Sequence, residues 1–312
     1  MPKPRDIELG DGTRIPILYE DRTVLAIDKP AGWLLVPVHW RQTSRNLQAA
    51  LESGLAAGAF WAQSRNLRFL RFVHRLDAET SGVLLLARSP GAMGPLSALF
   101  EGRQVEKRYL AVVRGALRAR RWTCRLPVAE DPAEPGRMRV DQRTGRPSET
   151  VFEWLASRVD PREGPISLVE ARPLTGRTHQ IRVHLAAEGH AVVGDTLYGE
   201  PGRGGGAVER GAAGERCRQD ARTTQFEGQC RQDARTTRFE GQCRQDARTT
   251  GRGRKTTGPT GSQIGFAASL GLRASALAYD DPFTRRFVRI QAPCAEFLKA
   301  FGFAPDADRR AA

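Results

Sequence analysis

Residues Val73 to Ser89 read VHRLDAETSGVLLLARS, and the rest of the chain is laid out to support this stretch. One carboxylate, Asp77, follows the basic pair His74-Arg75 and precedes the polar turn Ala78-Glu79-Thr80-Ser81-Gly82. Behind the turn, Val83 to Ala87 is a continuous apolar run of strand length, the pattern of a strand buried on both faces. An acid on a tight turn backed by a buried strand is held rigidly, as positioned chemistry requires. The same residues also fit an ordinary β-turn whose Asp and Thr bond their own backbone. Taken alone, the stretch is compatible with both.

The flanks supply elements on either side of it. Upstream, Val24 to Ile27 is an apolar strand running into Lys29-Pro30-Ala31-Gly32, where Pro30 fixes one backbone angle and Gly32 permits a positive one. Trp33 to Val36 reads as a resumed strand, Leu47, Leu51 and Leu55 mark one helix face, and Leu67 to Val73 delivers a strand to the Asp77 turn. Downstream, Met93, Leu96 and Phe100 share a helix face that Gly102 can end, and Val105 to Arg114 is a strand carrying Tyr109. The Arg-, Pro- and Gly-rich segment 118–149 reads as hairpins and loops; Val151 to Leu155 and Ile166 to Ala171 are strands. Thr178 is the expected N-cap of a helix running to Glu188, with Gly189 past its end. Phe287 to Ile290 closes the sheet and Glu296 to Phe301 forms a last helix.

A chain of 312 residues with 40% hydrophobic and 27% charged side chains can bury a sizeable globular core. No run approaches the ~20 apolar residues of a membrane helix, and Met1 to Asp6 lacks the apolar core of a signal peptide, so a cytoplasmic protein is expected. The net charge of +14, mostly arginine, favours a polyanionic partner. The five cysteines form no C-x-x-C pair, which argues against a disulfide framework or a zinc site.

Three motifs in register, HRLDAETSG from His74, EKRYLAVVRG from Glu106 and LTGRTHQIRVHL from Leu174, resemble the RluA-type pseudouridine synthases. The resemblance spans Ile17 to Gly199, with Asp28-Lys29-Pro30-Ala31-Gly32 upstream and Val193-Gly194-Asp195-Thr196-Leu197-Tyr198-Gly199 downstream, and resumes more weakly after Leu270. It departs from the family at Val36-Pro37-Val38-His39, where a His-Pro is usual, and at Arg273, where a histidine is usual. His39 is read as an exposed loop residue.

The resemblance implies an α+β fold: a single catalytic domain on a mixed, largely antiparallel β-sheet flanked by helices and loops. It implies isomerisation of uridine to pseudouridine in ribosomal or transfer RNA, with no cofactor, no metal and no membrane partner, by a monomer. Asp77 would be the essential acid, acting either as a nucleophile on C1′ or as a base on the C2′ proton. Arg177 would pair with Asp77, and Tyr109 would stack on the uracil and later take its C5 proton. Arg75 would fill the space left by the extruded base, and Lys107 is a weaker candidate for a phosphate contact. His74, His179 and His184 are read as scaffold. The rival from another class is a catalytically silent RNA-binding chaperone on the same fold.

Domain limits follow from composition. Residues 1–16 form an N-terminal arm, loose or holding a short first strand, and 17–200 the first part of the catalytic domain. Within 201–262 a unit beginning at Cys217, Cys230 and Cys243 repeats every 13 residues between Gly-rich tracts. One Phe per unit offers little to bury, so this basic insertion is expected to be disordered. Residues 263–312 complete the domain.

Overall fold

The computed structural model describes residues 2–35, 45–199, 269–305 and 307. Eleven strands form one sheet in the order β1-β2-β3-β5-β12-β6-β11-β10-β7, with β4 paired to β5 and β13 to β12. In chain order these are β1 (Asp6–Glu8), β2 (Arg14–Glu20), β3 (Val24–Lys29), β4 (Arg71–Phe72), β5 (Ser81–Ala87), β6 (Glu106–Arg114), β7 (Arg121–Cys124), β10 (Thr150–Asp160), β11 (Gly164–Pro173), β12 (Leu272–Asp280) and β13 (Phe287–Gln291). β8 (Val128–Glu130) and β9 (Met138–Val140) make a separate hairpin. Among the described strands β5 and β12 run parallel and the other strand pairs are antiparallel. Among the described residues five helices flank the sheet: α1 (Leu47–Ala56), α2 (Phe60–Gln63), α3 (Pro90–Glu101), α4 (Gln180–Ala187) and α5 (Ala295–Ala300). This is the mixed, largely antiparallel α+β architecture expected.

β5 is the hinge of the packing. Its side chains alternate between two cores: Leu84 and Leu86 pack with Leu25, Ile27, Leu47 and Leu51, and Val83, Leu85 and Ala87 pack with Val24, Ala26, Leu96 and Leu277. Burying each such Val or Leu contributes roughly 1.5–3 kcal/mol, so the strand behind Asp77 is firmly anchored. Where β5 meets β12, a Cβ on Gly82 would stand 2.1 Å from the Ala274 carbonyl oxygen, and Gly82 has φ +113°. Only glycine fits there. Two further cores cover the other half of the sheet, one under α4 (Ile181, Leu185, Phe152, Val169) and one under α5 (Leu298, Leu110, Val112, Leu168).

Of the two forms expected for the N-terminal segment, the short first strand is the one seen: β1 and β2 join the sheet, with Ile7, Leu9 and Ile15 buried, because these three alternate with polar residues and have a core to enter. Several other local expectations change. The strand expected over Leu67 to Val73 shortens to β4, and that over Trp33 to Val36 is, among the described residues, a single bridge from Leu34 to Asn46. The N-cap of α4 is His179 rather than Thr178. His39 and the 13-residue repeat lie outside the described residues.

Candidate active site

The Asp77 turn is clamped by two neighbouring strands. Lys29, at the end of β3 and fully buried, donates through Nζ to the carbonyls of Ala78 (2.7 Å), Thr80 (2.9 Å) and Pro30 (3.0 Å). Gly32 N–H donates to the Ala78 carbonyl at 2.8 Å. From the start of β12, Arg273 donates to Asp28 Oδ2 (2.7 Å), the Pro293 carbonyl (2.8 Å) and Ser81 Oγ (3.2 Å). Burial pushes the Lys29 ammonium down to about 8, a loss that the charges of Glu79 and Asp77 partly offset. The motif Asp28-Lys29-Pro30 is thus a scaffold that seats the acid.

The cation facing Asp77 is Arg182. Its Nη1 lies 3.5 Å from Asp77 Oδ2, while its Nε and Nη2 each donate to Asp195 at 2.7 Å. This corrects the ion pair expected at Arg177. Arg177 lies in the loop before α4, where its Nε reaches the Pro147 carbonyl (3.2 Å) and its N–H donates to Gln180 Oε1 (3.0 Å). Arg182 is the third residue of α4, in its first turn, and is the arginine whose side chain extends to the Asp77 turn. It is 2% exposed and Asp195 is fully buried, so the pair is out of solvent. Burial opposes the Arg182 charge, but the hydrogen bonds and charge of Asp195, with Asp77 adding to them, raise its pKa on balance. Asp195 also accepts from the N–H groups of Leu197 and Tyr198, which fixes its carboxylate. The Arg182 guanidinium lies 5.1 Å from the centre of the Tyr198 ring.

His179 closes the other side of Asp77, with Nε2 3.8 Å from Oδ1 and Nδ1 2.8 Å from the Tyr198 hydroxyl. It holds a left-handed backbone angle, φ +53°, unusual for a non-glycine residue. Burial holds its pKa below the usual histidine value; Asp77 works against that and Arg182 with it.

Tyr109, on β6 opposite Ala274 and Ala171, has its pKa raised by burial and then by the charge of Asp77. Lys107 projects from the same strand two residues earlier, and its Nζ stands 3.8 Å from where a Cβ on Gly176 would lie. Arg75 is exposed beside the turn, near enough to His179 for its charge to depress the imidazole. His74 and His184 are scaffold. His74 Nε2 accepts from the Leu85 N–H at 3.0 Å and its ring stacks on Phe100; His184 is fully buried among Ser148, Thr150 and the Leu126 carbonyl.

Arg182 and His179 therefore meet Asp77, with Asp195 and Tyr198 behind them, while Tyr109 and Lys107 share β6 and Arg75 is exposed two residues before Asp77. A signal for Arg182 existed in the sequence, because an arginine between Ile181 and Val183 on an apolar helix must find a buried partner. Nothing marked Asp195 as that partner.

A family model described as RNA pseudouridylate synthase matches residues 23–187, more than half of the chain, from just before β3 to the end of α4. The chain belongs to that family. Among its relatives, the RNA pseudouridine synthase YhcT of Bacillus subtilis is 37% identical over 59% of this chain and 58% of its own length. Ribosomal large subunit pseudouridine synthase C of Escherichia coli is 37% identical over 59% of this chain and 53% of its own. The chain spans little more than half the length of these relatives. Human RNA pseudouridylate synthase domain containing 4 superposes with a TM-score of 0.56 at 21% identity, covering 91% of this chain and 92% of that one. The human domain-containing 1 protein gives 0.55 at 24%, covering 89% and 83%. At these identities the two structures establish the pseudouridylate synthase fold. Among the described residues no group of His, Cys, Asp and Glu could hold a metal, and no helix is long and apolar enough to cross a membrane.

Proposed function

We propose that this protein converts specific uridines of structured RNA to pseudouridine, with Asp77 as the essential acid. The observation that carries this reading is a single carboxylate on a clamped turn, faced on one oxygen by Arg182 and on the other by His179, in a member of this family. In the reaction the N1–C1′ bond breaks, a C5–C1′ bond forms, and the C5 proton is lost while N1 gains one. Atoms and electrons balance without an oxidant or nucleotide. Either route at Asp77 needs the ionised carboxylate, and Arg182 supplies a fixed counter-charge where water is scarce.

Tyr109 would lie against the uracil face. Its raised pKa keeps it a phenol, which suits stacking and hydrogen bonding better than uptake of the C5 proton. Arg75, exposed and next to the turn, would occupy the gap left by the flipped base, and Lys107 would meet a phosphate. The exposed run Arg118-Ala119-Arg120-Arg121 would add to RNA affinity. The names of the relatives favour ribosomal RNA as substrate. The protein would work as a cytoplasmic monomer, with the segment 201–262 as an insertion into one catalytic domain.

Asp77→Asn tests the reading. The amide keeps side-chain size and turn bonding while removing the charge needed by both routes. RNA binding rests mainly on phosphate contacts and should stay near wild type. Pseudouridine content, measured by mass spectrometry on RNA from cells carrying only the variant, should be lost at this enzyme's sites. Modification that persists in the variant removes Asp77 from the chemistry. A wild-type protein that binds RNA and modifies none is a chaperone.

A further inference from the structure

Arg182 makes its hydrogen bond to one oxygen of Asp77, Oδ2. The His179 imidazole lies with Nε2 3.8 Å from Oδ1, and its own partner determines what it can offer. The Tyr198 hydroxyl accepts from the Met138 N–H at 2.9 Å and lies 2.8 Å from His179 Nδ1. A phenol has one proton. With a lone pair already given to Met138, every group is satisfied when that proton is donated to Nδ1. A neutral ring that accepts at Nδ1 carries its hydrogen on Nε2, the nitrogen facing Asp77.

We propose that His179 is a positioning residue for Asp77: an uncharged imidazole, its tautomer set by the Tyr198 hydroxyl, that presents Nε2–H to the carboxylate oxygen Arg182 leaves free. This rests on Asp77 being the catalytic acid. Two donors on two oxygens fix the plane of the carboxylate as well as its charge; the 3.8 Å separation is longer than a hydrogen bond, as is common in a free enzyme whose catalytic contacts tighten only with substrate bound. On balance the surroundings favour a neutral ring. Arg182 from α4 and Arg75 from the turn oppose protonation, as does burial, against the pull of Asp77 and Asp195. Tyr198 keeps its proton, since burial raises its pKa to about 12. The left-handed backbone at His179 turns the ring toward Asp77 at the mouth of α4, a conformation that costs energy for histidine and would suit glycine or asparagine.

The test has an arm that needs no RNA and one that does. In full-length protein labelled with 15N-histidine, long-range proton–nitrogen spectra should show His179 as the Nε2–H tautomer at neutral pH, assigned by its disappearance in His179→Gly. Tyr198→Phe should mix the tautomers, and Asp77→Asn should move the Nε2–H resonance. An Nδ1–H tautomer, an imidazolium at neutral pH, or an Nε2–H signal indifferent to Asp77→Asn overturns the proposal. In the second arm, His179→Gly removes the ring and relieves the backbone, so a merely structural histidine would leave turnover unchanged. The proposal expects kcat for pseudouridine formation to fall about ten-fold with KM for RNA little moved, and His179→Gln, which keeps a donor, to recover part of it. Wild-type kcat in His179→Gly overturns it. If wild-type protein forms no pseudouridine, the proposed function fails, while the spectra still decide how the ring is set against Asp77.

Discussion

Arg182 Nη1 stands 3.5 Å from Asp77 Oδ2, and that approach is possible because the other two nitrogens of the same guanidinium are fixed on Asp195 at 2.7 Å. The planar fork serves two carboxylates on different segments of the chain at once. An ammonium on a flexible stem cannot hold three such contacts in one plane. Arg182→Lys should therefore lower pseudouridine formation by ten-fold or more, about 1.4 kcal/mol or greater, with RNA affinity less affected. Arg177→Lys, which gives up only the Pro147 carbonyl, should stay within about three-fold of wild type. The reverse order of effects would return Arg177 to the site.

Lys29→Met should damage stability and activity together. It removes the ammonium from the carbonyls of Pro30, Ala78 and Thr80, of which Ala78 keeps the Gly32 N–H, at roughly 1.5–3 kcal/mol for each lost bond to a charged donor, and it frees the turn that carries Asp77. Lys29→Arg should not rescue it, because the fully buried site has no room for a wider guanidinium. Thermal melts beside single-turnover assays read both effects. A Met variant with wild-type melting temperature would show that the clamp is redundant.

Acid should destabilise the fold before the carboxylates titrate. His74 is held down to about 3 by burial and the charge of Lys107, and His184 to about 4 by burial. Unfolded, both bind a proton near pH ~6.5. Their stability contribution is complete above that value and is lost as pH falls toward 4 and then 3. The slope approaches about 1.4 kcal/mol per pH unit for each histidine. Denaturant midpoints taken from neutral pH down to about pH 5 should fall steadily. A flat profile would mean that these rings are protonated in the fold.

Replacing residues 203–260 with a short Gly-Ser linker should leave folding and turnover nearly unchanged. The chain is described up to Gly199 and again from Ser269, whose carbonyl packs against Gly194, while Gly271 N–H donates to Val193 at 2.8 Å. The two sides of the interruption are therefore joined in the fold without it. A modest loss of RNA affinity at low salt is expected, since residues 201–262 carry a net +6. Insoluble protein, or a large loss of turnover, would make the repeat part of the fold or the site.

Local pattern was enough to show β5 as a doubly buried strand, Asp77 on the turn before it, Tyr109 on β6 and the helix faces of α1 and α3. Each is a matter of periodicity or turn chemistry within about ten residues, and such signals survive in one dimension. The motifs also brought out the family. The identity of the cation at Asp77 was not local. Arg177 and Arg182 lie in one motif five residues apart, and which of them reaches the carboxylate depends on where α4 begins. That start is set by the left-handed turn at His179 and by Gln180, whose side chain accepts from Arg177 N–H and Thr175 and donates to Glu149 and Thr150. Asp195, Tyr198 and Lys29 acquire their roles only when segments tens of residues apart are packed together. A buried charge takes its partner from whatever the fold brings within about 3 Å, and no spacing along the chain records that distance.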